Sequence, residues 1–315
     1  MTSPRLRATP AGAPAGVAGH GPLPRLGLVS PDWVLLAVAV VAVSASGPLT
    51  AATAAPALAI AFWRNALAVA ALLPTLLRRP ALRAELAGVD RRTLLLSLAA
   101  GTALAAHFAL WLPSLRLTSV ASSVALATTT PLWTVLALRL LGHRRPAAVW
   151  LGSAVAFAGV VLLTGVDLAV STEALLGDAL ALGGGIAGAV YVLLGAEVRR
   201  TTSTTSYTLL CYGAATALLL PVCLLAGAAL GGYPGETWLQ LLAITVVAQL
   251  LGHSLLNRVV RGLGPSVTST SLLLETPGAV LIAALALGQL PPVAAYPALV
   301  VILAGLALVI RGERR

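Results

Sequence analysis

Four ionisable side chains lie inside long apolar stretches of this sequence: Arg64, His107, His253 and Glu275. Guanidinium, imidazole and carboxylate groups bind charged small molecules, and histidine and glutamate also carry protons. Ionisable groups are costly in an apolar environment, so a chain that keeps them there usually uses them. All four are therefore candidates for ligand binding or proton transfer.

Two of these residues have a polar or aromatic neighbour at helical spacing. Trp111 follows His107 by four residues, and Asn257 follows His253 by four residues. Residues four apart lie on the same face of a helix. We therefore expect these two helix faces to border one central cavity.

Alternatives remain open for each ionisable residue. Arg64 either lines the cavity as an anion-facing or gating charge, or fixes helix packing through hydrogen bonds. Glu275 is a proton carrier, a ligand for a substrate amine, or half of a structural ion pair with Arg64, from which it differs in depth by about 10 Å or less. His107 and His253 are either proton-linked or hydrogen-bonded packing residues.

The composition predicts an all-α integral membrane protein. The chain is 58% hydrophobic and 10% charged, whereas soluble domains carry about 25% charged residues. Its apolar runs approach about 20 residues, the length that crosses a bilayer as a helix. The net charge of +10 comes from arginines between these runs, which argues against a nucleic-acid partner and for the lipid bilayer.

The apolar runs predict ten transmembrane helices, at about 32–51, 57–77, 94–112, 119–140, 147–166, 178–196, 207–229, 238–257, 267–288 and 294–310. They divide into a first five-helix repeat, residues 31–170, and a second, residues 171–315. The segment 1–30 is rich in Pro, Gly and Ala, which predicts a disordered cytoplasmic tail.

The arginines predict the orientation in the membrane. With the N-terminus inside, all arginines except Arg64 and Arg116 fall in the tail, in inner loops (including 258–264) or at the C-terminus. Basic residues concentrate on the cytoplasmic side. We therefore expect a multi-pass plasma-membrane protein with both termini in the cytoplasm.

The two halves repeat at an offset of 146 residues. The pairs that coincide are His107 with His253, Pro131 with Pro277, Gly142 with Gly288 and Gly159 with Gly305. The repeat breaks where Thr129 in the first half becomes Glu275 in the second. We expect both residues to line the cavity, which Glu275 makes chemically one-sided.

Five spans per half is an odd number, so the second half must enter the membrane from the opposite side. Such inverted repeats are typical of secondary transporters that expose a central site alternately to each side. Pro131 and Pro277 should kink their helices near mid-depth and free carbonyl groups there, as suits a gating element.

The sequence gives little support for an enzyme, a metal-binding protein or a channel. The sequence has no glycine-rich phosphate loop, no close carboxylate pair on one helix face and no zinc-type His-Glu spacing, so we expect no enzyme, no cofactor and no metal. Cys211 and Cys223 lie in one apolar span and are expected to be buried thiols. No ring of repeated charges suggests a channel filter.

Four stretches resemble the EamA-type ten-helix permeases of the drug/metabolite transporter superfamily. They are AFWRNALAV (61–69), AAHFALWLPSLRLTSVASSVALATTTPLW (105–133), LGHSLLNRVVRGLG (251–264) and SLLLETPGAVLIAALALGQ (271–289). The chain departs from the family at His143 and Gln289, where an acid is usual, and at Thr276, which separates Glu275 from Pro277.

The resemblance implies a permease, often an exporter, of a small metabolite such as an amino acid. The ionisable residues His107, His253 and Glu275 add proton coupling as one candidate mode of drive. A translocase for lipids or lipid-linked sugars on the same scaffold stays an alternative, and an integral-membrane enzyme a more distant one. The sequence selects no particular substrate.

Overall fold

The computed structural model describes residues 31–140, 142 and 146–313. The predicted disordered tail, residues 1–30, lies outside the described residues, as does His143. The described residues contain α-helix, short turns and no strand. An all-helical chain was expected from the apolar runs, because lipid leaves backbone groups no partner outside a helix.

The first half contains eight helices in the described residues. They are α1 (Pro31–Ser44), α2 (Ser46–Ala52), α3 (Ala57–Arg78), α4 (Pro80–Ala87), α5 (Arg91–Ser114), α6 (Val120–Ala127), α7 (Thr130–Leu140) and α8 (Ala147–Val170).

The second half continues with α9 (Thr172–Val198), α10 (Thr204–Leu225) and α11 (Gly235–Ile244), which runs into a π-helical segment (Thr245–His253). Then follow α12 (Ser254–Ser271), a 3-10 turn (Leu272–Leu274), α13 (Glu275–Leu287) and α14 (Ala295–Glu313). The segment 258–264, expected as a loop, is helical within α12. The loop was predicted from the arginines alone. Arginine has a high helix propensity, so residues Arg258 to Leu263 can continue the helix.

Seven helical stretches of the described chain are long and apolar enough to cross a membrane: Pro31–Ala52, Ala57–Arg78, Arg91–Ser114, Val120–Leu140, Thr172–Val198, Thr204–Leu225 and Gly235–Leu263. Ala147–Leu163, Glu275–Leu287 and Ala295–Val309 are shorter apolar helices. Large apolar side chains such as Val41, Leu77 and Leu285 are more than two-thirds exposed. Such surfaces suit a lipid environment. The prediction of a multi-pass membrane protein is confirmed.

Both prolines follow an interruption in their helices. Residues 128–129 separate α6 from α7 just before Pro131, and the 3-10 turn precedes α13 just before Pro277. Proline lacks a backbone N–H, so it is tolerated in the first turn of a helix, where that donor has no partner. Each long apolar stretch is thus divided near its middle.

Glycines allow the closest helix contacts. A Cβ at Gly159 of α8 would lie 2.7 Å from the Ile302 nitrogen of α14. A Cβ at Gly305 of α14 would lie 2.2 Å from the Ala156 nitrogen of α8. Side chains at these positions would force the two helices apart, as expected where small residues let helix backbones approach.

Ion pairs join elements at the arginine-rich end of the bundle. Arg92 at the start of α5 lies 2.9 Å from Glu197 near the end of α9, and Arg258 of α12 lies 3.8 Å from Asp32 of α1. These side chains are partly exposed, so each pair contributes little stability. Their value is geometric, because they bring the basic helix ends to the same end of the bundle.

Glu85 of the short helix α4 adds a further link there. Its carboxylate accepts a hydrogen bond from the Ser203 backbone nitrogen at 2.6 Å, just before α10. Partial burial raises the pKa of Glu85, but hydrogen bonds from Ser203 and Ser206 and the charge of Arg199 lower it more, and the resulting pKa lies below its usual value. Glu85 is therefore ionised at neutral pH.

Candidate functional site

A cavity of about 390 Å³ lies at the centre of the bundle. Helices from both halves of the chain form its walls. The lining residues are Val43, His107, Trp111, Ala127, Thr128, Thr130, Thr134, Leu138, Gly188, Tyr191, Val192, Leu193, Gly195, Ala196, His253, Leu256, Asn257, Val260, Thr268, Leu272 and Glu275. Pockets of this size, mostly apolar with a few polar groups, are typical of small-molecule sites.

Five of the seven residues expected at the cavity line it: His107, Trp111, His253, Asn257 and Glu275. The His107 and Trp111 rings stack with centroids 5.4 Å apart, and the His107 and His253 rings lie 6.5 Å apart, edge to face. The tertiary structure thus brings together the two helix faces that the i,i+4 spacing defines.

His107 combines a packing contact with a place in the cavity wall. Its Nδ1 lies 2.8 Å from the Gly184 carbonyl of α9, which only accepts, so Nδ1 carries the proton and donates. In the neutral ring, Nε2 then holds a lone pair. A Cβ at Gly188 would lie 3.3 Å from the same Nδ1, so small residues on α9 leave room for the ring.

Trp111 and Asn257 differ in how their polar groups are satisfied. The Asn257 Nδ2 donates to the Tyr191 hydroxyl at 2.8 Å, so the amide is fixed against α9. The Trp111 Nε1 is buried and has no hydrogen-bond partner among the described residues. Buried donors are usually paired, so this unpaired nitrogen is an exception.

Glu275 lies in the first turn of α13 and borders the cavity. The positive end of a helix dipole favours a carboxylate at this position. Within the described residues its carboxylate has neither a hydrogen-bond donor nor an ion-pair partner. Its carboxylate is therefore a hydrogen-bond acceptor without a donor among these residues, at the end of the cavity next to Thr276.

Arg64 is fully buried but does not line the cavity. Its Nε donates to Gln249 Oε1 at 2.9 Å and its Nη1 to Ser46 Oγ at 3.2 Å. Its Cζ lies 4.1 Å from the centroid of the Phe108 ring. The sequence predicted that Arg64 lines the cavity. It does not, because its guanidinium has its hydrogen-bond partners between α2, α3 and the π-helical segment.

Thr129 also lies outside the cavity lining, whereas its neighbours Thr128 and Thr130 belong to it. The Thr129 hydroxyl donates to the Leu126 carbonyl at 2.6 Å and accepts from Trp133 Nε1 at 3.0 Å. Local hydrogen bonds of this kind turn a hydroxyl towards its own helix. The break in the helix at 128–129 decides which threonine faces inwards.

Thr128 joins the two interrupted stretches. Its hydroxyl lies 2.9 Å from that of Thr276 in α13. On the far side of this contact α2, α6 and α13 pack together, with a Cβ at Gly47 only 2.9 Å from Val124. The hydrogen bond therefore marks the closed end of the cavity.

The opposite end of the cavity reaches the arginine-rich end of the bundle. Leu138, Ala196 and Val260 are lining residues, and they lie within one helical turn of Arg139, Arg199 and Arg261 respectively. The Arg199 Nε donates to the Asn257 carbonyl at 3.2 Å. The cavity thus extends from mid-depth towards one end only.

Two site residues escaped the sequence reasoning. Gln249 holds Arg64 and also donates from Nε2 to Asn65 Oδ1 at 3.2 Å. Tyr191 borders the cavity and binds Asn257. A fully buried amide inside an apolar span is itself a signal that could have revealed Gln249. Tyr191 carried no such signal, because tyrosines are common near the ends of membrane spans.

No group of three or more His, Cys, Asp or Glu side chains that could hold a metal ion occurs in the described part of the chain. Cys211 and Cys223 are buried free thiols.

No curated protein matches this chain. A solved structure described only as "Crystal structure of protein" has a TM-score of 0.62 to it at 20% identity, covering 91% of this chain and 99% of its own. That likeness shows the fold. Residues 175–311 match the model of the EamA-like transporter family. This match agrees with the two motifs found in the second half and supports membership of the drug/metabolite transporter superfamily.

Proposed function

We propose that this protein is a secondary transporter that carries a small metabolite across the plasma membrane by alternating access. The observation that carries the proposal is the central cavity, lined by both halves of the chain and closed at one end by the Thr128–Thr276 contact. A cavity with a single open end is the arrangement that alternating access requires.

Contacts between corresponding residues support two inverted five-helix repeats, residues 31–170 and 171–315. Gly159 packs against Ile302, and Gly305 packs against Ala156. Adding 146 to 159 gives 305, and subtracting 146 from 302 gives 156, so each contact is the image of the other. A pseudo-two-fold axis produces such reciprocal contacts, and His107 meets its own counterpart His253.

The same relation holds for whole helices. Helix α5 of the first half packs against α9 of the second half, and the π-helical segment and α12 of the second half pack against α1 of the first half. Adding 146 to the residue numbers of α5 leads to the π-helical segment and the start of α12, and subtracting 146 from those of α9 leads to α1 and α2. With the three shorter apolar helices included, the chain would cross the membrane ten times and place both termini on the arginine-rich, cytoplasmic side.

In that orientation the described conformation is inward-facing, because the cavity extends towards the arginine-rich end. Opening to the other side would separate α6 from α13 at the Thr128–Thr276 contact. The helix interruptions before Pro131 and Pro277 lie next to this contact and would act as hinges.

Glu275 is the group we propose to bind cargo or carry a proton, since its carboxylate borders the cavity without a partner in the described chain. The test is flux into proteoliposomes across a panel of metabolites, with and without an imposed pH gradient. We expect flux of at least one metabolite that responds to the gradient, and we expect Glu275→Gln to abolish it while the protein stays folded.

Each part of the proposal fails separately. Flux that ignores the pH gradient for every substrate would remove proton coupling. Normal flux by Glu275→Gln would remove the carrier and charged-ligand roles of this residue. No flux with any metabolite would refute transport of small metabolites.

A further inference from the structure

We propose that the cavity selects small apolar molecules that carry one protonated amine and no carboxylate. This inference rests on the proposed transport function, because it names the class of cargo for the same cavity. It is more specific than transport of a metabolite such as an amino acid, and it excludes zwitterions as preferred cargo.

The charges at the cavity carry the first step. Among its described lining residues, Glu275 is the one carboxylic acid, and none of them is an arginine. The whole sequence contains no lysine. The described lining therefore offers its cargo an acidic group and no basic group other than the two histidines.

The position of Glu275 supports a cationic cargo. Its side chain borders the cavity without a hydrogen-bond donor or ion-pair partner in the described chain, and it is only partly exposed. A buried carboxylate gains most from a partner that supplies both charge and N–H donors. A protonated amine supplies both.

The remaining walls suit an apolar body. His107, Trp111 and Tyr191 contribute rings, and Val192, Leu256 and Leu272 contribute aliphatic surface. Aromatic faces also attract a cation held close to them. The volume of about 390 Å³ lies towards the lower end of the range of about 300–1,000 Å³ for ligand pockets, which favours a small cargo.

A carboxylate on the cargo would meet no arginine among the described residues that line the cavity. The Arg64 guanidinium is held by Gln249 and Ser46 behind the cavity wall. At the arginine-rich end, Arg199 donates to the Asn257 carbonyl and Arg258 pairs with Asp32. An amino acid would therefore bury its carboxylate among apolar side chains, which is unfavourable.

The test compares three probes that share a phenyl group and an amine: phenethylamine, phenylalanine amide and phenylalanine. Binding of each to the purified protein in detergent is measured by calorimetry at neutral pH, independently of transport. We expect both carboxylate-free amines to bind, and phenylalanine to bind weaker by about tenfold or more. Glu275→Gln should lose amine binding, whereas Glu275→Asp, which keeps the charge, should retain part of it.

Thermal unfolding of both variants shows that loss of binding is not loss of fold. Binding of phenylalanine as tight as that of the amines, or no binding of either amine, would overturn the proposal. Amine binding without flux in proteoliposomes would refute the transport function alone. Flux of phenylalanine without amine binding would refute the amine selectivity alone.

Discussion

Arg64 and Glu275 are both deeply placed ionisable residues, but the protein uses their charges differently. The Arg64 guanidinium is held by an amide, a hydroxyl and the face of Phe108. The Glu275 carboxylate borders the cavity and has no such partners in the described chain. In the described conformation Arg64 thus joins α3 to the π-helical segment, although its Nη2 is buried without a hydrogen-bond partner among the described residues, whereas Glu275 borders the cavity.

Arg64→Met should destabilise the protein more than it changes ligand binding. The substitution leaves Gln249 and Ser46 without their buried partner, which costs about 1–3 kcal/mol of unfolding free energy. Arg64→Lys keeps the charge but lacks the planar fork, so its stability should be intermediate. Thermal unfolding in detergent measures both effects. Unchanged stability with lost ligand binding would instead assign Arg64 to the cavity.

At the scale of the elements, small residues determine how closely the helices approach. A Cβ at Gly101 of α5 would lie 2.5 Å from the Cys211 carbonyl and 2.6 Å from Ala214 Cβ, both on α10. A Cβ at Gly213, also on α10, would meet nothing within 4 Å among the described atoms. The two glycines therefore form a matched pair for testing this interface.

Gly101→Ala should destabilise the protein by about 1–3 kcal/mol, because the added methyl group forces α5 away from α10. Gly213→Ala should be neutral or stabilising by up to about 1 kcal/mol, because alanine favours a helix more than glycine does. Thermal unfolding of the two variants in the same detergent compares them. Equal effects of both substitutions would contradict the close packing of α5 on α10.

Interruptions in the helices are a second property of the elements that shapes the cavity. The break at 128–129, the π-helical segment and the 3-10 turn all lie beside the cavity. Irregular backbone at membrane depth is tolerated where it is buried in protein or lines a cavity. π-Helical turns occur frequently at functional sites. Together these breaks turn Thr128, Thr130, His253 and Glu275 towards one space.

At the scale of the whole molecule, the arginine-rich end and its opposite should lie on different sides of the membrane. Two single-cysteine variants test this prediction. One carries the cysteine at Ala87, the last residue of α4, and the other at Gly231, in the loop after α10. In both variants Cys211 and Cys223 are replaced by alanine. Both native cysteines are buried, and a Cβ at Gly231 meets nothing within 4 Å.

We expect a membrane-impermeant maleimide added to intact cells to label Gly231→Cys and not Ala87→Cys. Permeabilising the cells should expose Ala87→Cys to the reagent. The physical reason is the retention of basic segments in the cytoplasm. Labelling of both positions in intact cells, or the reverse pattern, would contradict the proposed orientation.

Composition and spacing along the chain are enough to predict a lipid environment for the fold and the residue types at the cavity. Apolar runs with little charge between arginine-rich segments specify membrane helices, because lipid accepts few other residues. Ionisable groups in these runs identified His107, His253 and Glu275, and the i,i+4 spacing added Trp111 and Asn257. These signals depend on residues close together in the chain, so they can be recognised from the sequence without the tertiary structure.

Which of these groups share the cavity, and which lie elsewhere, depends on how the helices pack. Arg64 and Glu275 are equally unusual in the sequence, yet Gln249, 185 residues away along the chain, holds one of them. Likewise, the break at 128–129 turns Thr128 and Thr130 inwards and leaves Thr129 bound to Trp133. Side-chain direction depends on helix irregularity and on distant partners, and neither follows from spacing alone.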